Sequence, residues 1–300
     1  MAADVPQGFE AYAAEEVPQA PVGSPGKQGV LELDFAADSA GQTRLVRDFA
    51  RVPFHVSGSL DHTPPASGTA VYVQSPTGGV AQGDRHDVAV EVGPGATALV
   101  STQSATKVQS MERNYARADY RLSVAEGGVL EYVPEATILY PDARYLQSTT
   151  VDLGPDATAI LADVVVPGRL AREEAFDFER YATRIDVRGP AGRLFEDAVR
   201  LEPDRDDPRR TGVLGDADVF GSLYVVTTTD CDAASLADRV HERVAGDGPT
   251  AAASTLPNDA GMWTRVLGDR TESVTDRLHA AWDEARRALV DAPAPDLRKY

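Results

Sequence analysis

The chain has 300 residues, 42% apolar and 25% charged, which are ordinary proportions for one or two folded globular domains. Its single cysteine, Cys231, excludes an internal disulfide and every multi-cysteine zinc or iron–sulfur site. Acidic residues number 47 against 29 basic, a net charge of −18, which argues against a phosphate-backbone binder. No apolar run approaches the ~20 residues of a membrane helix. The basic residues are lopsided: Lys27, Lys107 and Lys299 are the lysines, and the rest are arginines. A GC-rich genome accounts for the arginine. The charge points further, to a high-salt cytosol in which dense surface carboxylates keep a protein hydrated.

Residues 1–26 carry Pro6, Pro18, Pro21 and Pro25 and lack a basic start followed by an apolar core. They read as a flexible extension and not as a secretory signal. This leaves residues 27–300 as one β-rich domain. Residues 30–35 place Leu31, Leu33 and Phe35 on one face, and this alternation predicts a strand. Residues 43–49, 70–74, 87–92, 97–101 and 120–124 read the same way. A weak repeat runs through the middle. Val90-Glu91-Val92-Gly93-Pro94-Gly95-Ala96 recurs at Leu122 to Gly128 and again at Val151 to Ala157. Each copy is a strand, a turn and a second strand. The repeat predicts a stacked sheet, either a β-helix-like body or a layered sandwich. Two helices are predicted in the C-terminal third. One spans 232–244, capped by Asp230 or Asp232; the other spans 271–290 and is followed by Pro293 and Pro295.

Catalytic chemistry is sparse. The chain has no G-x-S-x-G elbow, Walker phosphate loop or H-E-x-x-H motif. Gly93-Pro94-Gly95 joins two strands and is a turn, not a dinucleotide fingerprint. His55, His62, His86, His241 and His279 show no metal-binding spacing and read as ordinary imidazoles. Asp230 and Asp232 flank Cys231 and disfavour a reactive thiolate. Three polar stretches stand out. The first holds Gly78, Gly79, Gly83 and Asp84. The second, Thr102-Gln103-Ser104-Ala105-Thr106-Lys107-Val108, retains a rare lysine that could pair with Asp84 or Glu131. The third sets Asp163 inside the apolar run 162–166, just before Gly168 and Arg169. An acid there is either exposed by a bulge or lines a polar cavity.

In order, these stretches resemble the UreD family of urease accessory proteins, called UreH in some organisms. The resemblance rests on the G-x-L-x-L-x-F opening at Gly29, the Gly78-Gly79…Gly83-Asp84 turn and the Thr102 to Val108 segment. Leu130-Glu131-Tyr132-Val133-Pro134, Gly168-Arg169, Leu256-Pro257-Asn258 and the tail ending Leu297-Arg298-Lys299-Tyr300 add to it. Gln82, Gln109 and Glu173 depart from the family pattern beside these motifs. The resemblance implies a largely β stack with two helices and a cytoplasmic maturation chaperone without catalytic activity. Its implied partners are apo-urease, UreF and the GTPase UreG. No tightly bound cofactor is implied. Nickel passes transiently, and Asp84, Asp163 and Asp197 match the family's acidic passage positions. Isolated carboxylates suit a conduit, because a tight nickel site calls for clustered His or Cys. Two other classes stay open on the residues alone. One is a β-helical carbohydrate-active enzyme using Asp84 and Glu131; the other is a plain protein-interaction module.

Overall fold

The computed structural model describes residues 7–17, 25–60 and 68–297. A one-turn helix, α1 (Glu10–Ala13), comes first. β1 (Gln28–Ala37) and β2 (Thr43–Arg51) pair antiparallel, as do β3 (His55–Leu60) and β4 (Thr69–Gln74). Then the repeat begins. β5 (Arg85–Val92) turns into β6 (Thr97–Thr102), and a short β7 (Thr106–Val108) follows. β8 (Ala116–Val124) turns into β9 (Val129–Tyr132), and a short β10 (Thr137–Leu139) follows. β11 (Arg144–Leu153) turns into β12 (Thr158–Val166). Each copy is one rung. β5, β8 and β11 are parallel neighbours in one sheet, and β6, β9 and β12 are parallel neighbours in the other. The stacked body expected from the repeat is the one observed.

The turns explain why the repeat is visible. Their third residues are Gly95, Gly127 and Asp156, with φ of 63°, 64° and 51°. Left-handed backbone favours glycine and tolerates aspartate, so the turn fixes the residue type. Stacked turns also bond to one another: the Gly95 N–H donates to Glu126 O at 3.0 Å and the Gly127 N–H to Pro155 O at 3.0 Å.

β13 (Arg180–Gly189) and β14 (Gly192–Leu201) close the first sheet, whose order is β14-β13-β11-β8-β5-β1-β2. β15 (Val219–Thr227), β16 (Thr250–Thr255) and β17 (Gly261–Gly268) extend the second, whose order is β16-β17-β15-β12-β9-β6-β4-β3. Between the sheets, one end of the sandwich packs Leu33, Val90, Leu122 and Val151, all essentially inaccessible to solvent. The other end packs Val108, Leu139, Ala143 and Phe178.

The two C-terminal helices cover the outer face of the second sheet. α2 (Ala233–Val244) starts where the Asp232 carboxylate accepts the Ser235 N–H at 2.9 Å, a side-chain cap that satisfies one free donor. α3 (Thr271–Leu289) buries Val274, Leu278, Ala281, Trp282 and Ala285, one stripe of a 3.6-residue period. Fully buried side chains of this size contribute about 1.5–3 kcal/mol each. Asp291 leaves the helix with φ 50°, and Pro293 prevents its continuation.

The N-terminal expectation needs correction over residues 7–17. Phe9 is 1% exposed and packs with Tyr115, Leu146 and Ala182 on the outer face of the first sheet. Tyr12 donates to Glu179 at 2.6 Å, and Glu15 accepts from Asn114 N at 2.6 Å and Arg144 Nη1 at 3.1 Å. The flexibility expected from proline content is outweighed there by an aromatic anchor and two buried-side charge contacts. The rest of the expected extension, residues 1–6 and 18–24, lies outside the described residues.

Candidate functional site

A polar belt crosses the sandwich between its two apolar ends. Strand alternation builds it, because each rung turns polar or aromatic side chains inward at neighbouring levels of the stack. Across the rungs it comprises His86 on β5, Tyr120 on β8, Tyr132 on β9, Tyr145 on β11, Asp163 on β12 and Tyr181 on β13. It ends with Tyr224 on β15, Asp197 on β14 and Arg265 on β17.

Two cavities lie along the belt. One, of about 70 Å³, is lined by Asp163, Asp197, Ser222 and Tyr224 among others. The second, of about 100 Å³, is lined by His86, Phe54, Gly78, Gly79, Ser104 and Lys107 among others. Thr102, Thr106, Tyr120, Tyr132 and Tyr145 line both. The two cavities therefore meet at a wall of phenols and hydroxyls. The outer rim of the second carries exposed Gly78, Ser104 and Lys107.

Asp163 and Asp197 are brought together here. The Tyr181 hydroxyl donates to Asp163 Oδ2 at 3.4 Å, and the Tyr224 hydroxyl donates to Asp197 Oδ2. Arg265 Nη2 sits 3.7 Å from Asp197 Oδ2, and its charge also acts on Asp163. Asp163 keeps some surface open to the cavity while protein encloses its carboxyl. Burial pushes that carboxyl up to about 6, with Arg265 and the Tyr181 hydrogen bond pulling it back. Of the two sequence alternatives, the polar cavity is the one realised. The Tyr120 hydroxyl is hydrogen-bonded to Tyr132 and Tyr145, so the wall is a connected network.

Asp84 is placed differently and does not line either cavity. It is fully buried at the start of β5, accepting the Lys27 N–H at 2.8 Å and the Ala81 N–H at 2.9 Å, with Lys27 Nζ at 3.6 Å. It clamps the glycine turn to the first strand. Lys107 pairs with neither expected acid. Its side chain is exposed, Asp84 takes Lys27, and Glu131 takes Arg286 and Trp282. Asp84 and Glu131 also fail to form a carboxylate pair. Glu131 faces outward under α3, where Trp282 Nε1 donates to it at 2.5 Å.

The motif segments shape the mouth of the second cavity. Gly79 has φ 124°, and a Cβ there would overlap the Lys107 carbonyl, which accepts the Val80 N–H at 2.8 Å. Only glycine allows that approach. Gly83 has φ 74° and packs against Val17. Thr102 Oγ1 accepts the Glu135 N–H at 2.9 Å, the Gln103 N–H donates to Val73 O at 2.8 Å and the Thr106 N–H to Ala136 O at 2.9 Å. The departures fit locally. Gln109 donates to Gly78 O at 2.8 Å, Gln82 accepts the Glu112 N–H at 3.0 Å, and Glu173 takes the left-handed φ of 59° that glycine adopts readily. Gly168 and Arg169 lie away from both cavities. Arg169 forks onto Glu174 and lies 4.4 Å from the Tyr140 ring centre, and a Cβ on Gly168 would overlap the Glu174 carbonyl.

The sequence reading takes His86 for an ordinary imidazole and gives the belt tyrosines no role. Their signal was present: His86 is in phase with buried Val88, Val90 and Val92. Among the described residues, no three His, Cys, Asp or Glu side chains gather closely enough to hold a metal ion. No helix among them is long and apolar enough to cross a membrane.

A family model described as UreD urease accessory protein matches residues 27–299. The chain is 58% identical over 301 residues to the urease accessory protein UreD of Haloarcula marismortui, with 100% of both chains covered. Identity to the urease accessory protein UreD of Natronomonas pharaonis is 46% over 297 residues, with 99% of each chain covered. Identity to urease accessory protein UreD 2 of Streptomyces griseus is 38% over 284 residues, covering 92% of this chain and 95% of that one. By fold, motif placement and full-length similarity, including to relatives from halophilic archaea, the chain belongs to the UreD family of urease accessory proteins.

Proposed function

We propose that the chain is a maturation chaperone for urease that works in the cytoplasm. It binds apo-urease and UreF, through which the GTPase UreG joins the assembly. It gives nickel a hydrated route toward the urease active site during GTP-dependent insertion. It contributes binding and passage, not catalysis. Family membership supports the urease role. The single observation that supports passage is the belt in which Asp163 and Asp197 share one cavity.

The chemistry of that cavity favours transit over storage. A hydrated divalent cation meets two carboxylates and several phenols, whose hydroxyls replace some of the bonds its water shell makes in solution. Too few ligands converge to strip its water, so it is held weakly and released. Arg265 supplies the positive charge beside both acids when no cation is present. A passing cation takes over that neutralising role. Asp163 is ionised at neutral pH and lowers the electrostatic cost of bringing a divalent charge between two sheets.

Deleting the gene should leave urease present, inactive and nickel-poor, and the wild-type chain should restore it. Asp163→Ala should restore it only in part. The fold should survive at a cost below about 1 kcal/mol, because no buried partner depends on that carboxylate alone. Nickel per urease active site is the readout, with circular dichroism and partner pull-down as controls. A folded, partner-binding Asp163→Ala chain that loads nickel fully would remove Asp163 from the route. Fully active urease in the deletion strain would remove the function.

A further inference from the structure

His86 is a position that neither the motif residues nor the acids account for. It is 5% exposed, and its Nε2 is buried with no hydrogen-bond partner. Leaving a buried polar atom unpaired costs about 1–3 kcal/mol. In folded proteins such atoms are almost always met by protein, water or an ion. The ring lines the cavity of about 100 Å³. A space of that size holds several water-sized groups. The ring is also held in place. Phe54 packs edge-on with its centre 5.0 Å away, and Gly29 leaves no room for a Cβ, which would come 2.9 Å from His86 Cδ2. An imidazole in its neutral form carries a lone pair on one ring nitrogen, the kind of donor that nickel, copper and zinc take.

We propose that His86 is a coordinating side chain for a divalent transition-metal cation in this cavity, across the tyrosine wall from Asp163 and Asp197. This rests on the reading that the interior carries nickel. It adds a selective step to that reading. Carboxylates and water suit magnesium, whereas imidazole suits nickel, copper and zinc. One imidazole with water in the remaining positions gives preference without a trap. The cation is sorted at His86 and then meets only oxygen ligands beyond Tyr120, Tyr132 and Tyr145.

The test uses the full chain carrying ¹³C-labelled histidine in concentrated KCl, with Ni²⁺ alone as the probe and Mg²⁺ alone as the competitor. Ni²⁺ should broaden the His86 imidazole signal, assigned by its loss in His86→Asn, and excess Mg²⁺ should not reverse this. His86→Asn should weaken Ni²⁺ binding in the cavity by at least the ~10- to 100-fold that loss of an outer-shell partner costs a metal site, while Asp163→Asn leaves the His86 response in place. Broadening confined to other histidines, or equal displacement by Mg²⁺, overturns the proposal. Should His86→Asn not fold, the wild-type titration alone decides, with the remaining signals assigned from Phe54 contacts. In cells, His86→Asn should lower urease nickel content at low nickel and recover at high nickel. An active urease in the deletion strain defeats the functional reading instead, and leaves the Ni²⁺ titration to judge His86 separately.

Discussion

A carboxyl enclosed between two sheets and facing an arginine makes the belt sensitive to protons. Asp163 has its carboxyl raised from 3.8 to about 6 by burial. The folded chain therefore holds that proton more tightly than the unfolded chain. Its contribution to stability is fully present below about pH 3.8 and is lost as pH rises through about 6. Asp163→Asn keeps the shape and cannot ionise, so its melting temperature should gain on wild type as pH rises between those values. A gain on the order of 1–3 kcal/mol at neutral pH is expected, and paired melts in one buffer series measure it. A difference that stays constant with pH would mean the carboxyl is not strained by burial. At this scale the sequence was partly legible. Asp163 interrupts an apolar run, and that break in pattern marked it. Tyr120, Tyr145 and His86 continue the alternation without breaking it, so they pass as core. What gives them meaning is the residue opposite, and that depends on which strands stack.

The elements were easier to read than the contacts that fix them in place. Alternation and the three turns announced the rungs because each stacked strand faces the same interior. α1 carried no such signal: four residues cannot show a period, and the anchor Phe9 gains meaning only against Leu146 and Ala182 on distant strands. Phe9→Ala should cost about 3 kcal/mol, typical of emptying a buried aromatic site, and a denaturant midpoint shift measures it. A negligible shift would return residues 7–17 to the status of a loose extension. α3 is held differently. Arg286, fully buried, has Nη1 3.5 Å from Glu131 Oε1 on β9, and Trp282 donates to the same carboxylate. Glu131→Leu takes away the carboxylate that faces a buried guanidinium and should cost about 3–5 kcal/mol. Adding Arg286→Met should recover most of that loss, since a buried ion pair and a well-packed apolar pair are often close in stability. Simple additivity of the two substitutions would show that the ion pair does not govern the docking of α3.

For the whole molecule, charge dominates. With 47 acidic residues against 29 basic, a net of −18, carboxylates repel one another across the molecule. Many are tied to arginine, as Asp206 is to Arg210 and Glu272 to Arg270, yet exposed pairs of this kind contribute only about 0–1 kcal/mol each. The residual repulsion reaches about 10 Å at ~0.1 M salt and about 3 Å at ~1 M. The melting temperature should therefore climb by many degrees between those KCl concentrations, and a flat curve would leave genome composition as the sole reason for the acidity. The ends of the stack matter in another way. Parallel rungs have no inherent last member, because each presents the same unpaired backbone as the one before. Here the end strands of the two main ladders, β2 and β14 in one sheet and β3 and β16 in the other, run antiparallel to their neighbours. Three of those pairings are also broken by a register shift, and β2 adds Arg44, Arg47 and Arg51 along its length. A second molecule meeting β2 finds a strand reversed against the stack, a broken register and arginines along the seam. The architecture that lines up a corridor of side chains is the one amyloid fibrils use to grow without limit. Reversing and kinking the outermost strands keeps the corridor and halts the fibril.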